Sequence, residues 1–217
     1  MLREAYNQAD LDMDLWRAES VDKTRRALAR GADPNMKGGG IPIVEAAALD
    51  DDEQRAREMV DLLLAAGAHN WWKESVQAWA QGATRMRVRS GGICHRHPER
   101  EKTLLDENDP AAIRSLVHGL EVDIVKSKNV CMCCGNPSME FYRNGRLINA
   151  VSIHHGLRLR FGTHRGPRCG AVQLTPAGAD HLCHWLAQRG VDGPLKELTE
   201  ARARRSDAAK TGDELEQ

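Results

Sequence analysis

The residues best suited to chemistry lie near one another in the chain. Cys131, Cys133 and Cys134 fall within four positions, and His154 and His155 follow about twenty residues later. Thiolate and imidazole are zinc ligands, and a structural zinc site needs four of them. Such a site would use Cys131 and Cys133 with His154 or His155, completed by Cys169 or by Cys94, His95 and His97 of the run CHRH. The Cys-x-Cys spacing is not the Cys-x-x-Cys knuckle that grips one ion from a tight turn. The competing reading is structural: free cysteines pack as small buried hydrophobes, and the histidines end a strand on nearby carbonyls. Cys183 belongs to that class, because it falls on the apolar stripe of a helix. A third reading makes a cysteine thiolate a nucleophile activated by the histidines and arginines. No thiol-enzyme motif surrounds it, and no orienting carboxylate follows nearby in the sequence.

Charge is uneven around this stretch. No Asp or Glu occurs between Glu140 and Asp180, whereas Arg143, Arg146, Arg158, Arg160, Arg165 and Arg168 all do. Arg158 and Arg160 alternate with Leu157, Leu159 and Phe161, so one strand face is cationic and the other apolar. The cationic face is a candidate anion or acidic-partner site beside the histidines, weighed against a solvated outer surface.

The elements that must position these residues are legible. Asp109 and Pro110 open a helix with Ile113, Leu116, Val117 and Leu120 on one face. Strands are expected at about 129–134, 138–143 and 146–153, the last two joined by the hairpin signal Asn144-Gly145, with a fourth at LRLRF. A two-residue turn there pairs Arg143 with Arg146 and sets Met139 opposite Ala150, so the Cys-bearing strand and His154 meet at one end of the sheet. Alternation allows only one cysteine pair and one histidine to share a face. Thr175 and Pro176 then open a second helix that ends at Gly190. The order helix, antiparallel meander, helix defines an α+β domain.

Upstream the chain repeats itself. ALARGADPN (27–35) recurs as LLAAGAHN (63–70), with Gly31 and Gly67 one 36-residue period apart and each closing a helical pattern. Pro42 opens the Ala-rich run between them. The string Gly31-Ala32-Asp33-Pro34-Asn35, the Ile41-Pro42-Ile43 helix opening and Gly67-Ala68 resemble the ankyrin repeat over about residues 8–72. That resemblance implies stacked helix pairs whose exposed face binds another protein. The repeat is longer than the usual ankyrin length, and LDDDEQRA is the expected insertion. Trp71, Trp72 and Trp79 are expected to seal the stack. Residues 109–191, with their Cys-Met-Cys-x-Gly and His-His-Gly-x-x-Leu-Arg blocks, are similar to a domain of bacterial proteins, a resemblance that carries no activity across.

Composition excludes several classes. With 41% hydrophobic and 29% charged residues the chain can bury a core, and a formal net charge of zero gives no general pull toward nucleic acid or membrane. The first residues, MLREAYNQADLDMDLW, carry acids where a secretory signal would be apolar, and no window reaches the roughly 18–20 apolar residues of a membrane span. A cytoplasmic location with reduced cysteines is therefore expected. The organisation expected is an all-α ankyrin-like stack over 1–90, an α+β Cys/His domain over 93–194 and a charged tail over 195–217. The expected function is protein–protein interaction, of a regulatory or immunity type, rather than catalysis. The alternative is a zinc-binding or thiol-dependent sensor or enzyme.

Overall fold

The computed structural model describes residues 7–93, 99–125, 135–161 and 171–213. It is mixed α and β, with a seven-stranded antiparallel sheet, a two-stranded sheet and helices in both parts of the chain. Two compact units are distinguished: Met1–Trp71 with Ile124–Lys128, and Trp72–Asp123 with Asn129–Gln217.

In the first unit, α1 (Gln8–Trp16) and α2 (Val21–Ala29) pack together, as do α3 (Ile43–Ala48) and α4 (Glu53–Ala65), and α2 packs on α4. The helices start where short polar side chains satisfy free amides: Asn7, Ser20 and Asp52 accept from the N–H groups of Asp10, Lys23 and Arg55. Alpha-helices α2 and α4 end in the same way. Gly31 and Gly67 take φ of +97° and +94°, while Ala32 donates to Ala27 O and Ala68 to Leu63 O. This is the Schellman closure, used one period apart. Buried positions repeat with the same period: Thr24 and Val60, Ala27 and Leu63, Ala32 and Ala68. The expected all-α character is interrupted by a small hairpin, β1 (Lys37–Gly38) paired with β2 (Ile41–Pro42). Its glycines permit the turn, and Gly38 lies against the Trp16 ring, where a Cβ would come within 2.3 Å.

Side chains tie the repeats together at matched points. Gln8 donates to Gly31 O (3.1 Å), and Asp12 accepts from Asp33 N–H (2.8 Å). One period later the Asn35 amide makes both contacts alone, donating to Gly67 O (3.1 Å) and accepting from His69 N–H (2.7 Å). The same two backbone groups are thus satisfied by the preceding segment each time.

The second unit begins within α5 (Trp71–Ala80), at Trp72. Trp71, Trp72 and Trp79 lie on it, with side chains outside the described set. Within the all-α stack expected over 1–90, residues Arg85–Arg89 form a strand, β3. The signal was weak because only Met86 and Val88 of RMRVR are apolar, yet both are fully buried. Beside it lie β4 (Thr103–Glu107), β6 (Ser138–Arg143), β7 (Arg146–His154), β8 (Arg158–Phe161), β9 (Ala171–Leu174) and the short β5 (Val122–Asp123), in spatial order β4-β3-β6-β7-β8-β9-β5. Helices α6 (Pro110–His118) and α7 (Pro176–Ala187) begin on Asp109 and Thr175, as expected. They pack against each other and against β3 and β9, respectively. Ile113, Leu116, Leu182 and Leu186 join Met86, Phe141, Ile153 and Leu159 in the core. The expected charged tail is helical, α8 (Gly193–Asp213), and packs on α7 through Leu198 and Ala201. Arg202 pairs with Asp180 of α7, holding that carboxyl below its ordinary range.

Candidate functional site

Register decides what the sheet presents. Arg143 pairs with Arg146 and Tyr142 with Leu147, but the pairing shifts between Phe141 and Tyr142. Met139 therefore faces Val151 rather than the expected Ala150, and Glu140 faces Ala150. A β-bulge inserts one residue and moves every later pair by one. Beyond it Ser138 lies opposite Ser152, Ser152 opposite Arg160, His154 opposite Arg158, and Arg158 opposite Gln173. On β3, Arg87 and Arg89 face Glu140 and Ser138.

Alternation then sorts the sheet into two faces. Met86, Val88, Met139, Phe141, Val151, Ile153, Leu159 and Val172 form the apolar face. The other face carries Arg87, Arg89, Ser138, Glu140, Ser152, His154, Arg158, Arg160 and Gln173. Ser138, Ser152 and His154 on it are at most 1% exposed. A polar sheet face with buried members is costly unless those groups are satisfied, and several are. Glu140 accepts from the Tyr142 hydroxyl (2.6 Å), Arg158 donates to Gln173 (2.6 Å), and Ser152 Oγ stands 3.4 Å from His154 Nε2. Arg85 and Arg87 both pair with Asp106, and Arg85 holds that carboxyl below its ordinary range.

The two histidines go different ways. His154 is buried, and burial first, then Arg160, His155 and Arg158, push its pKa down to about 4, so the ring is neutral. Gly135 lies directly against it: at φ +68° a Cβ there would fall 2.3 Å from the imidazole Cδ2 and 2.5 Å from Nε2. Asn136 N–H bonds Ile153 O (2.8 Å) and Ile153 N–H bonds Pro137 O (2.9 Å), fixing this approach. His155 sits in the left-handed region at φ +52°, exposed, with Nδ1 3.5 Å from Glu197 of α8. Of the four expected metal ligands, His154 alone is therefore buried on the polar face among described residues. Cys131, Cys133, Cys134, Cys94, His95, His97 and Cys169 lie outside the described residues. Among the described residues no group of three or more His, Cys, Asp or Glu side chains is arranged to hold a metal.

Arg158 and Arg160 share the face with His154, as their alternation implied. Ser138, Ser152 and Gln173 were not singled out in the sequence. Cross-strand register brings them there, and single serines in a strand carry no periodic signal. Cys183 is buried on α7, its thiol donates to Gly156 O (3.6 Å), and burial pushes its pKa up to about 12. No helix among the described residues is long and apolar enough to cross a membrane.

The first unit offers a second surface. Its two large exposed hydrophobic side chains among the described residues are Met13 on α1 (44%) and Leu49 at the end of α3 (59%), one 36-residue period apart. A groove of about 260 Å³ on the α1–α2 pair is lined by Asp14, Arg17, Lys23, Arg26, Ala27 and Arg30. No protein family, curated protein or solved structure matches this chain.

Proposed function

We propose that this protein binds another protein through an ankyrin-like face of its first unit, with Met13 and Leu49 as the apolar contacts. The observation that carries the proposal is their pairing: each occupies the same position of successive repeats, and each is a large apolar side chain left exposed. Repeat stacks place equivalent residues at regular intervals. A partner segment with two apolar side chains fits, and its acidic residues would meet Arg17, Lys23 and Arg26 on the α1–α2 pair. The matched bonds of Gln8, Asp12 and Asn35 support the repeat reading, since they hold successive units in a fixed spacing. A regulatory or immunity-type role is compatible with such a binder.

The test is affinity capture followed by quantitative binding of the captured protein. It is expected to bind wild type and to lose at least tenfold affinity with Met13→Asp/Leu49→Asp, while Leu104→Asp/Leu147→Asp, on the other unit, leaves binding unchanged. Equal loss in both pairs, or none in the first, sinks the proposal.

A second reading has its own support: a zinc-type centre on His154 with Cys131 and Cys133. Gly135, the residue after Cys134, is seated on a buried neutral imidazole, and neutral imidazole is the ligand form. Metal content of purified protein by mass spectrometry decides it. One zinc per chain, lost in His154→Ala and kept in His155→Ala, is the expected pattern. A metal-free folded protein would overturn this reading.

A further inference from the structure

The groove on the α1–α2 pair holds about 260 Å³ of space, many times the roughly 10–15 Å³ that one water needs. Its lining sets the cations Arg17, Lys23, Arg26 and Arg30 against a single carboxylate, Asp14. Lys23, Arg26, Ala27 and Arg30 recur at helical spacing, so one face of α2 borders the groove, and Asp14 and Arg17 border it from the end of α1. Ala27 is 3% exposed, so long cationic side chains surround a short, buried one.

The repeat does not demand these cations. One 36-residue period later the equivalents of Arg17, Lys23, Arg26 and Arg30 are Glu53, Met59, Leu62 and Ala66, and Ala27 is replaced by Leu63. The same helix-pair framework is thus built without a cationic lining. The carboxylates around the groove are matched to other cations. Asp14 pairs with Arg30 (2.9 Å), Glu19 with Lys23 (3.3 Å) and Asp22 with Arg25 (2.7 Å). The exposed Arg17 and Arg26 side chains have no hydrogen bond or ion pair among the described residues. Two guanidinium groups, one from each helix, therefore border open space with their donors uncommitted.

We propose that this groove binds a phosphate group, free or esterified on a small molecule, with Arg17 and Arg26 as its direct ligands and Lys23 and Arg30 adding positive field. A carboxylate has two oxygens, which one guanidinium fork already satisfies. Phosphate has enough acceptors for forks arriving from two helices. A phosphate monoester carries about −1.5 to −2 charges at pH 7, and a cleft lined mainly by one sign of charge concentrates the opposite ion. Met13 and Leu49 take no part, so the site stands or falls apart from the protein-binding reading.

The test is isothermal titration of the full chain, with no partner present, using inorganic phosphate, glycerol 3-phosphate, glycerol and succinate. Phosphate is expected to bind wild type, to bind Arg17→Gln/Arg26→Gln at least tenfold more weakly, and to bind Arg146→Gln, on the other unit, unchanged. Arg17→Lys/Arg26→Lys keeps the charge and loses the fork, and is expected to bind at least threefold more weakly. It carries the test if the glutamine pair misfolds by circular dichroism. Tighter binding of glycerol 3-phosphate than of phosphate assigns an esterified ligand, and equal or weaker binding assigns the free ion. No phosphate binding in wild type, equal binding in the paired variants and Arg146→Gln, or binding of glycerol itself overturns the proposal. Succinate bound as tightly as phosphate also overturns it, and would give the groove to a partner's carboxylates while the protein-binding reading stands.

Discussion

Removing the Asn35 amide tests the coupling between repeats most sharply. Asn35→Ala deletes a 3.1 Å bond to Gly67 O and a 2.7 Å bond from His69 N–H, both made to the end of α4 from the preceding segment. Each hydrogen bond contributes a net of roughly 0.5–1.5 kcal/mol, and water reaches this half-buried position and offsets part of the loss. The expected cost is about 1–2 kcal/mol, or a roughly five- to thirty-fold rise in local opening. Amide hydrogen exchange over residues 60–70 reads this directly. Protection there is expected to fall by that factor, while residues 110–118 of α6 stay unchanged. Asn35→Asp keeps the acceptor but sets a carboxylate against the Gly67 carbonyl oxygen, so it is expected to rescue nothing. A change below twofold in Asn35→Ala, or full protection in Asn35→Asp, would refute the argument that this side chain holds the repeats in register.

Three further outcomes are expected. Gly156→Ala places a Cβ 2.6 Å from Pro194 O and 2.7 Å from Leu198 Cβ at φ +66°, so it is expected to cost more than about 2 kcal/mol in urea unfolding, whereas Gly67→Ala, strained in φ but open around it, is expected to cost about 1–2. The Cys183 thiol, with its pKa near 12, is expected to resist alkylation at about pH 8 in the folded protein. Its thiolate is better accommodated in the unfolded chain, so stability declines as pH rises from about 9 toward 12, and urea midpoints across that range check it. His154 behaves in the opposite sense: its folded pKa of about 4 lies below the unfolded value near 6.5, so up to roughly 3 kcal/mol present above pH 6.5 is lost as pH falls toward 4. A His154 imidazole resonance of the metal-free protein, assigned by its loss in His154→Ala, that titrates near 6.5 would contradict this.

Much of the fold can be read from particular residues. Asn144-Gly145 announces its hairpin and adopts φ of +52° and +75°, and the strands beside it begin where alternation places them. Asp109 and Thr175 mark their helices because each supplies the acceptor that the first turn lacks. What escapes is whatever lacks a period. The four residues of β9, AVQL, are buried on both faces, which erases alternation, and β5 has two residues. The bulge that shifts Met139 from Ala150 to Val151 has no local signature. That shift sets Ser138 against Ser152 on the polar face of the sheet. His154, Arg158 and Arg160 could be named from their types and spacing, but the choice between His154 and His155 needed the turn, where His155 leaves the strand at positive φ.

The claim that the first unit is a protein-binding face is tested most directly by site-specific photocrosslinking in the cells that make the protein. A benzophenone side chain placed at Met13 or at Leu49 is expected to crosslink one and the same partner protein, while one placed at the equally exposed Leu104 does not. Absence of crosslinks at both repeat positions, or the same partner captured equally from Leu104, would contradict the account.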